Sequence, residues 1–277
     1  ASIGEGDGSK AGGATSNSKG GSSKGEIDSH TSIPQQEDGA RTEIGKPQSF
    51  VLTGLSKKAV SWGPGREVDE ENKPTACVSL NEKYSKYGAI FLMNEDKIYL
   101  SFDLGYEAGY TDKILDALKE NGVKAMFFIT ESYAETQEEL VRRIIDEGHT
   151  VGSHSVTHPN IPSLSPQQAK SEIEGVNATL KEKYDYTAYL FRFPAGAFSE
   201  ESLAIASNCG FHSIFWSFAY KDWDNSSQPA NKTALERLTG SLHKGGVYLL
   251  HPMKTNSEVL SDFIKAAREK GFQFGVL

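Results

Sequence analysis

Strand-like and helix-like segments alternate from residue 97 to the end of the chain, and this alternation constrains the fold more than any other feature. The strand-like segments are short, apolar and rich in β-branched and aromatic residues. They are KIYLSFD (97–103), VKAMFFIT (123–130), HTVGSH (149–154), AYLFRFP (188–194), HSIFWSF (212–218), VYLLH (247–251) and FQFGVL (272–277). A repeated strand–helix–strand order predicts parallel strands joined by crossover helices. The fold class is therefore α/β, either a barrel or an open doubly wound sheet.

Helix start and stop signals lie between these strands. The segments 136–139 and 165–168 match the capping-box pattern, in which a Ser or Thr and a Glu or Gln three residues later cap each other's backbone N–H groups. Gly122 and Gly148 end two of the predicted helices. These signals predict that a helix begins after Thr136 and another after Ser165.

Composition divides the chain into three parts. Residues 1–49 contain no Phe, Trp, Tyr, Leu, Val, Met or Cys, so they cannot bury enough apolar surface to offset their ordering entropy. We interpret 1–49 as a flexible Gly/Ser-rich tether, 50–95 as an N-terminal packing segment and 96–277 as the main domain. A tether of this kind suits a protein held at a membrane or wall surface.

Charge and cysteine content narrow the function classes. A net charge of −8 argues against sequence-independent binding of nucleic acid or of anionic lipid. No apolar run approaches the roughly 18–20 residues of a membrane-spanning helix. Cys77 and Cys209 have no metal or redox spacing, so they are either two unpaired thiols or one long-range disulfide, and they leave the redox compartment open.

Ionisable residues collect immediately after the predicted strands. They are Asp103, His154, His158, Arg192, Asp222 and His251, and Trp223 follows Asp222. In a parallel barrel or sheet the carboxyl ends of all strands lie on one face, where active sites form. The sequence therefore predicts that these residues converge on one site.

The segment SHSVTHP contains a candidate metal-binding pair. His154 and His158 are four residues apart, the spacing that places two imidazoles on one side of a helical turn, and Pro159 halts any longer helix. Imidazole nitrogens suit Zn and other late divalent ions. We predict a metal site here, and the alternative is two unrelated histidines with structural hydrogen bonds.

The remaining residues of this group suit acid–base chemistry. Asp103 is a candidate base for a water molecule, although a lone Asp at this position is most often a turn former. Arg192 at the same mouth needs a carboxylate partner, and Asp103 is the natural one. His251 is a candidate general acid whose pKa the Asp222 charge would raise. Trp223 offers a flat apolar wall for a sugar ring, unless it belongs to the core.

Five segments in order carry a family resemblance. SFDLG, HSVTHP, RFPAG, DW and LLH resemble the motifs of the polysaccharide deacetylases, the NodB-homology domain of carbohydrate esterase family 4. The resemblance runs from about residue 95 to the C-terminus, and five ordered motifs are far more specific than any one of them. It implies an irregular (β/α)7–8 barrel, which decides between the two architectures.

Further segments narrow the resemblance. SWG, SLNEKYSKYGAIFL, GYEAGYT and FWSFAYKDW are similar to the muramic-δ-lactam-forming peptidoglycan de-N-acetylases of spore cortex. This implies a hydrolase that removes the N-acetyl group of N-acetylmuramic acid in glycan strands. The alternatives are an N-acetylglucosamine deacetylase of peptidoglycan or chitin-like polymers, and a catalytically inactive glycan-binding barrel. We expect an extracytoplasmic monomer, in the cell envelope or secreted, with no nucleic-acid partner.

The resemblance also implies residue roles. The four acid–base residues keep the roles given above, and His154 and His158 become metal ligands. Trp223, Leu249 and Pro194 are added as residues of the substrate pocket.

One position departs from the family pattern. Leu104 stands where the family has an Asp that is the third protein metal ligand, and where the δ-lactam subgroup has Asn. Because Leu cannot coordinate a metal, a Zn site, or a Co or Mn site, is expected to bind its ion weakly. Glu107, three residues further on, is a candidate carboxylate for this site, and we place it among the substrate-binding residues.

Overall fold

The structure, a computed structural model, describes residues 41–277. The tether predicted for 1–49 therefore lies mostly outside the described residues. The short part of it that is described contacts the main domain, since Arg41 Nη1 donates a hydrogen bond to Leu277 O at 2.6 Å.

Ten strands lie within residues 41–277. They are β1 (Val60–Ser61), β2 (Ala89–Ile90), β3 (Lys97–Leu104), β4 (Met126–Ile129), β5 (Thr150–Ser153), β6 (Leu190–Phe191), β7 (Ala197–Phe198), β8 (His212–Ile214), β9 (Val247–Leu250) and β10 (Gln273–Gly275). Strands β1 and β7 form an antiparallel pair. The other eight form one sheet in the order β10-β3-β4-β5-β6-β8-β2, with β9 also paired to β3, and every pair in it is parallel.

Nine α-helices lie within the same range. They are α1 (Thr75–Tyr84), α2 (Thr111–Glu120), α3 (Glu131–Thr136), α4 (Glu138–Asp146), α5 (Pro166–Glu174), α6 (Val176–Tyr184), α7 (Glu200–Asn208), α8 (Asn231–Gly240) and α9 (Lys254–Glu269). Three 3-10 turns complete the set, at Ser85–Tyr87, Ile161–Ser163 and Pro194–Gly196. Within 41–277, none of these helices combines the length and apolar character needed to span a bilayer.

The parallel sheet curls into an irregular barrel. Strand β9 pairs with β3, and a parallel bridge between Phe218 and Tyr248 joins β9 to the segment that follows β8. The ladder therefore runs from β3 through β4, β5, β6 and β8 and returns to β3 by way of β9. The predicted barrel is confirmed, and the open doubly wound sheet is excluded.

Strand β3 shows how the two faces of the sheet are used. Leu100, Phe102 and Leu104 belong to the large apolar cluster that also contains helix residues, whereas Tyr99 belongs to a smaller cluster without helix residues. Because side chains alternate across a strand, the smaller cluster fills the barrel and Asp103 shares the barrel-facing side of β3. The apolar run in the sequence of β3 therefore contains two interleaved sets of side chains, one for each face of the sheet.

Helix capping follows the sequence at one site and departs from it at another. The capping box at 165–168 is confirmed, because Ser165 Oγ accepts from Gln168 N at 3.3 Å and Gln168 Oε1 accepts from Ser165 N at 3.1 Å. The box predicted at 136–139 is wrong. Thr136 is the last residue of α3, a helix that begins earlier at the cap Thr130, and α4 starts without a side-chain cap.

The segment 50–95 and the main domain share a sheet, because β2 pairs with β8.

Cys77 in α1 is fully buried, Cys209 is half-buried, and both are free thiols. Burial raises the pKa of Cys77 to about 12 and that of Cys209 to about 11. The two cysteines are therefore unreactive packing residues, and the disulfide alternative is excluded.

Candidate active site

A cavity of about 890 Å³ opens at the carboxyl ends of the barrel strands. Six of the residues predicted from the sequence line it, namely Asp103, His154, His158, Trp223, Leu249 and His251. They come from strand ends that are far apart in the chain, and the parallel register of the sheet brings them to one rim. The cavity has the size of a small-ligand pocket.

Arg192 lies behind the cavity and holds Asp103. The Arg192 side chain is fully buried, and its Nη1 donates to Asp103 Oδ1 at 3.1 Å. Its Nε donates to Ile214 O at 2.8 Å and its Nη2 to Ser101 Oγ at 2.9 Å. The guanidinium also lies 4.3 Å from the ring centre of Phe128. The Asp103 carboxylate is thereby oriented by a charged donor that three further contacts hold in place.

The two histidines of SHSVTHP meet at the cavity without forming a helical turn. Ser155 and His158 have φ values of 72° and 58°, in the left-handed region, so the predicted helical turn is wrong. The His154 and His158 rings nevertheless lie 4.8 Å apart between centres, at an interplanar angle of 78°. Glu172 from α5 fixes the loop between them by accepting from the backbone N–H groups of Val156 and Thr157 at 3.0 and 2.9 Å.

The hydrogen bonding of His154 defines its tautomer. His154 Nδ1 lies 2.8 Å from Arg192 O, which can only accept, so Nδ1 carries a proton. Burial lowers the pKa of His154 and outweighs the opposing charge of Asp103, so the ring is neutral and Nε2 has a free lone pair. That nitrogen faces Asp103 Oδ2 at 3.6 Å. Two acceptors held this close favour a proton, a water molecule or a cation between them.

The residues present do not complete a metal site. Among residues 41–277, no three His, Cys, Asp or Glu side chains form a group that could hold a metal ion. The last residue of β3, Leu104, is fully buried in the cluster between sheet and helices and does not line the cavity. Two imidazoles remain, and the nearby Asp103 carboxylate is already bound to Arg192. The donor set is therefore short of the three protein ligands of a typical catalytic zinc site.

The structure places Glu107 outside the cavity, contrary to the prediction. Its Oε1 accepts from the N–H groups of Gly109, Tyr110 and Thr111, and its Oε2 accepts from Thr111 Oγ1 at 2.6 Å and Tyr133 OH at 2.7 Å. Burial alone would raise the pKa of Glu107, but these hydrogen bonds outweigh it and hold the pKa below its usual value. Glu107 therefore fixes the turn that leads into α2, and both of its oxygens are occupied by hydrogen bonds.

Asp222 and His251 form a tightly held pair. His251 Nδ1 lies 2.8 Å from Asp222 Oδ1, and the His251 backbone N–H donates to Asp222 Oδ2 at 2.8 Å. Burial would lower the pKa of His251, but the hydrogen bond and charge of Asp222, together with the charge of Asp103, raise it above its usual value. Because Nδ1 faces Asp222, the proton on Nε2 is the one available to the cavity.

The apolar wall agrees with the sequence at two positions of three. Trp223 is 55% exposed, lines the cavity, and its ring centre lies 6.3 Å from that of His251. Leu249 at the end of β9 also lines the cavity. Pro194, predicted to contribute, is buried in a 3-10 turn, and its neighbours Phe193 and Ala195 line the cavity instead.

Sequence reasoning missed four residues that shape the site. Ser101 lies two positions before Asp103, and the period of a strand could have indicated that they share a face. Tyr106 is 58% exposed at the cavity rim, within the segment GYEAGYT. Glu172 and Asn256 act from helices α5 and α9, and no sequence signal marks them.

The chain matches proteins of one family along most of its length. Residues 93–214 match the polysaccharide deacetylase family. The chain is 38% identical over 228 residues to the peptidoglycan N-acetylmuramic acid deacetylase PdaA of Bacillus subtilis strain 168, which covers 79% of this chain and 85% of that protein. It is 30% identical over 236 residues to a peptidoglycan N-acetylglucosamine deacetylase of Bacillus cereus, covering 83% of this chain and 80% of that protein.

Comparison with a solved structure shows that the fold matches as well as the sequence. The structure of Bacillus subtilis PdaA, described as a family 4 carbohydrate esterase, superposes with a TM-score of 0.76 at 35% sequence identity and covers 80% of this chain and 96% of that chain. Fold, ordered motifs and sequence identity therefore agree. The chain belongs to the polysaccharide deacetylases of carbohydrate esterase family 4, hydrolases that cleave N-acetyl amides of glycans.

Proposed function

We propose that the protein removes the N-acetyl group of N-acetylmuramic acid in peptidoglycan glycan strands. This proposal rests on one observation: an acidic and a basic side chain, each held by a partner residue, face the same cavity. Asp103 is oriented by Arg192, and His251 is oriented by Asp222. A carboxylate and an imidazole with a raised pKa are the acid–base pair that amide hydrolysis requires.

The reaction follows from the protons that these groups can hold. Asp103 takes a proton from a water molecule, whose oxygen forms a bond to the acetyl carbonyl carbon. His251 then donates its Nε2 proton to the amide nitrogen as the carbon–nitrogen bond breaks. The products are acetate and a sugar amine. Arg192 holds Asp103 in place, because its guanidinium is buried against that carboxylate.

The apolar wall supports a sugar as the substrate. Trp223 and Tyr106 are both more than half exposed at the cavity, an unusual position for two large aromatic rings in a folded protein. A pyranose ring has an apolar face that packs on such a surface, while its hydroxyl groups remain solvated. A glycan is therefore the class of ligand that this cavity suits.

The choice of sugar rests on the relatives. One relative is named for N-acetylmuramic acid and another, less identical, is named for N-acetylglucosamine. The muramic acid activity is the first proposal and the glucosamine activity is the second. Peptidoglycan and chitin-like polymers share the N-acetyl group, so location of the free amine distinguishes the two proposals.

The proposed substrate implies where the protein acts, and we add a proposal about its oligomeric state. An enzyme of peptidoglycan glycan acts outside the cytoplasm, in the cell envelope or as a secreted protein, and sporulation is the setting that the subgroup resemblance suggests. We further propose that it acts as a monomer, held near the wall by the segment 1–49. Sedimentation velocity measures the oligomeric state. Fractionation of producing cells shows whether the protein is retained at the wall.

We also propose that the site binds a divalent ion with low affinity. His154 Nε2 and the His158 ring are two imidazole donors that suit Zn, and also Co or Mn. With Leu104 in place of a ligating side chain, occupancy depends on water and substrate for the remaining positions. Acetate release is therefore measured after chelation and after addition of each ion in turn.

The deciding experiment measures acetate release from peptide-free glycan strands, followed by mass spectrometry of the digested product to locate the free amine. We expect Asp103→Asn and His251→Ala each to lower the rate by about 10²–10⁴-fold, the usual contribution of acid–base catalysis. Asp224→Asn is the matched control, because this partly buried acid lies beside Trp223 in the chain and bonds Ser226 rather than His251. Parent rates in both catalytic variants would refute the mechanism. Saturable glycan binding without turnover under any metal would favour an inactive barrel.

A further inference from the structure

We propose that Asn256 is a positioning residue for the Asp222–His251 pair, and that it keeps the Asp222 carboxylate in the one orientation in which both oxygens serve His251. The inference deepens the proposed function and rests on the acid role that His251 has there. Asn256 lies in the first turns of α9 and does not line the cavity.

The contacts of Asn256 reach both members of the pair. Its Nδ2 donates to Asp222 Oδ2 at 2.7 Å and to His251 O at 2.8 Å. The side chain is buried, with 1% of its surface exposed. An amide nitrogen has two protons, and here each has a different acceptor, so one side chain ties the carboxylate to the backbone of the residue it orients.

Tyr220 fixes which way the Asn256 amide points. The Tyr220 hydroxyl donates a hydrogen bond to Asn256 Oδ1. Burial raises the pKa of Tyr220, and the charge of Asp222 raises it further, so the hydroxyl keeps its proton. A flipped amide would set Oδ1 against Asp222 Oδ2 and Nδ2 against a donor, so the chemistry of three side chains admits one orientation.

The carboxylate is thus held at both oxygens. Oδ1 meets His251 Nδ1, while Oδ2 accepts from both the His251 backbone N–H and Asn256 Nδ2. The Asn256 bond shares the negative charge of Oδ2, and a hydrogen bond to the charged form of a carboxylate makes it less basic. Removal of that bond leaves more of the charge for the His251 imidazolium.

The other charges that act on the pair can be named. Asp222 and Asp103 favour the protonated form of His251, whereas Arg192 opposes it. On the far side, Arg237 in α8 acts on Tyr220. None of these is changed by a substitution at Asn256, so a shift in the titration of His251 can be assigned to the carboxylate beside it.

The experiment titrates His251 directly in the full chain. The imidazole is followed by nitrogen–proton NMR and assigned by the loss of its signals in His251→Gln. In Asn256→Leu, which keeps the volume and removes the donor, we expect the pKa of His251 to rise by about 0.5 pH unit. In Asn256→Asp, which sets a second carboxylate against Asp222, we expect a larger rise. The matched control is Asn231→Ala, since Asn231 bonds Glu258 on the same helix pair without touching Asp222.

A kinetic measurement separates positioning from folding. Because Asn256 does not line the cavity, both variants should lower kcat by about 10- to 100-fold, the effect of a misplaced catalytic group, with little change in KM. Thermal unfolding of each variant shows that the assay temperature leaves it folded. If neither Asn256 variant folds, Tyr220→Phe removes only the hydroxyl that orients Asn256 and should shift His251 in the same direction by a smaller amount.

The outcomes are distinguishable from those of the proposed function. A His251 pKa and a kcat that both match the parent in the folded variants, or a KM effect without a kcat effect, would overturn the positioning role. Absence of acetate release by the parent protein, together with the expected NMR shift, would overturn the proposed reaction and leave the positioning role in place.

Discussion

The Asp222 carboxylate bonds the His251 imidazole with one oxygen and the His251 backbone N–H with the other, each at 2.8 Å. Because both bonds go to the same residue, the ring cannot rotate about its side-chain bonds without breaking one of them. The arrangement raises the pKa of His251 against the effect of burial. It also leaves Nε2 as the only ring nitrogen that can deliver a proton to the cavity.

The first prediction concerns pH. Since the pKa of His251 lies above its usual value of about 6.5, kcat/KM should fall as pH rises through that higher pKa, as the general acid loses its proton. Asp222→Asn should move this alkaline limb to lower pH. The control Asp224→Asn should leave it in place. A limb that stays where it is in Asp222→Asn would show that another group supplies the proton.

The same shift has a consequence for stability. A histidine whose pKa is raised on folding stabilises the folded state fully below its unfolded pKa of about 6.5, and this stabilisation disappears as pH rises through the folded-state pKa. The difference in free energy of unfolding between the parent and His251→Gln should therefore shrink between mildly acidic and alkaline pH. Urea titrations at several pH values measure it, and a difference that grows with pH would contradict the assignment.

The buried ion pair between Asp103 and Arg192 leads to a prediction about stability. Asp103→Asn should lower the free energy of unfolding by about 3–5 kcal/mol, because Arg192 is fully buried and loses its charged partner. Lys232→Met breaks an exposed pair with Glu236 and should change it by about 0–1 kcal/mol. Denaturant unfolding compares the two. Equal effects would mean that the Arg192–Asp103 pair contributes no more than a surface contact.

Substitution of Glu107 distinguishes a structural role for this residue from a role as a metal ligand. Glu107→Ala leaves the backbone N–H groups at the start of α2 without their acceptor and should lower stability by about 1–3 kcal/mol. In the temperature range where the variant remains folded, its kcat and metal affinity should match the parent. Loss of metal binding in folded protein would restore Glu107 to the site.

Trp223 tests the sugar-binding wall. Trp223→Ala should raise KM roughly tenfold with a smaller effect on kcat, because about 1–2 kcal/mol of apolar contact with the sugar is lost. Tyr189→Ala is the control, since Tyr189 is also partly exposed but does not line the cavity. Equal KM values for the parent and Trp223→Ala would remove Trp223 from the substrate contacts.

The metal prediction uses the position that departs from the family pattern. Calorimetry with Zn should show binding far weaker than that of structural zinc sites, which release about 10–16 kcal/mol. Leu104→Asp should strengthen binding at least tenfold, roughly 1.4 kcal/mol, because a carboxylate cannot remain in the apolar cluster where Leu104 packs and the two imidazoles lie at the same strand end. It should also lower stability, because Leu104 is fully buried. Leu104→Ala controls for the lost apolar contact. Tight Zn binding by the parent would show that the two histidines suffice.

The sequence predicted the alternating α/β architecture because its signal is local and repeated, and the family resemblance then chose the barrel over the open sheet. Most strands of the sheet are marked by a short apolar run, although β2 was not predicted, and several helices are marked by a glycine at their end or by a cap, as at Ser165. It also predicted which residues end the strands, and the parallel arrangement then required Asp103, His154 and His251 to share a rim. These inferences need only the periods of helix and strand and the rule that parallel strands end on one face.

Other features depended on contacts between distant parts of the chain. The pair at His154 and His158 meets through two left-handed residues, not through the helical turn that its spacing suggested. Glu107 bonds the turn before α2, Pro194 is buried, and Asn256 in α9 bonds Asp222. A carboxylate or amide pairs with whichever donor or acceptor the fold places beside it, and spacing along the chain does not encode that neighbour.

What the sequence determined by itself was the order of strands and helices, the class of the fold and the rim at which the ionisable residues collect. Only the tertiary structure decided that Leu104 packs between sheet and helices, that Arg192 is sealed beneath Asp103, and that Asn256 ties Asp222 to His251. The physical reason is that periodicity is a property of the backbone and is written locally, whereas burial and hydrogen-bond partnership exist only after segments distant in the chain have come into contact.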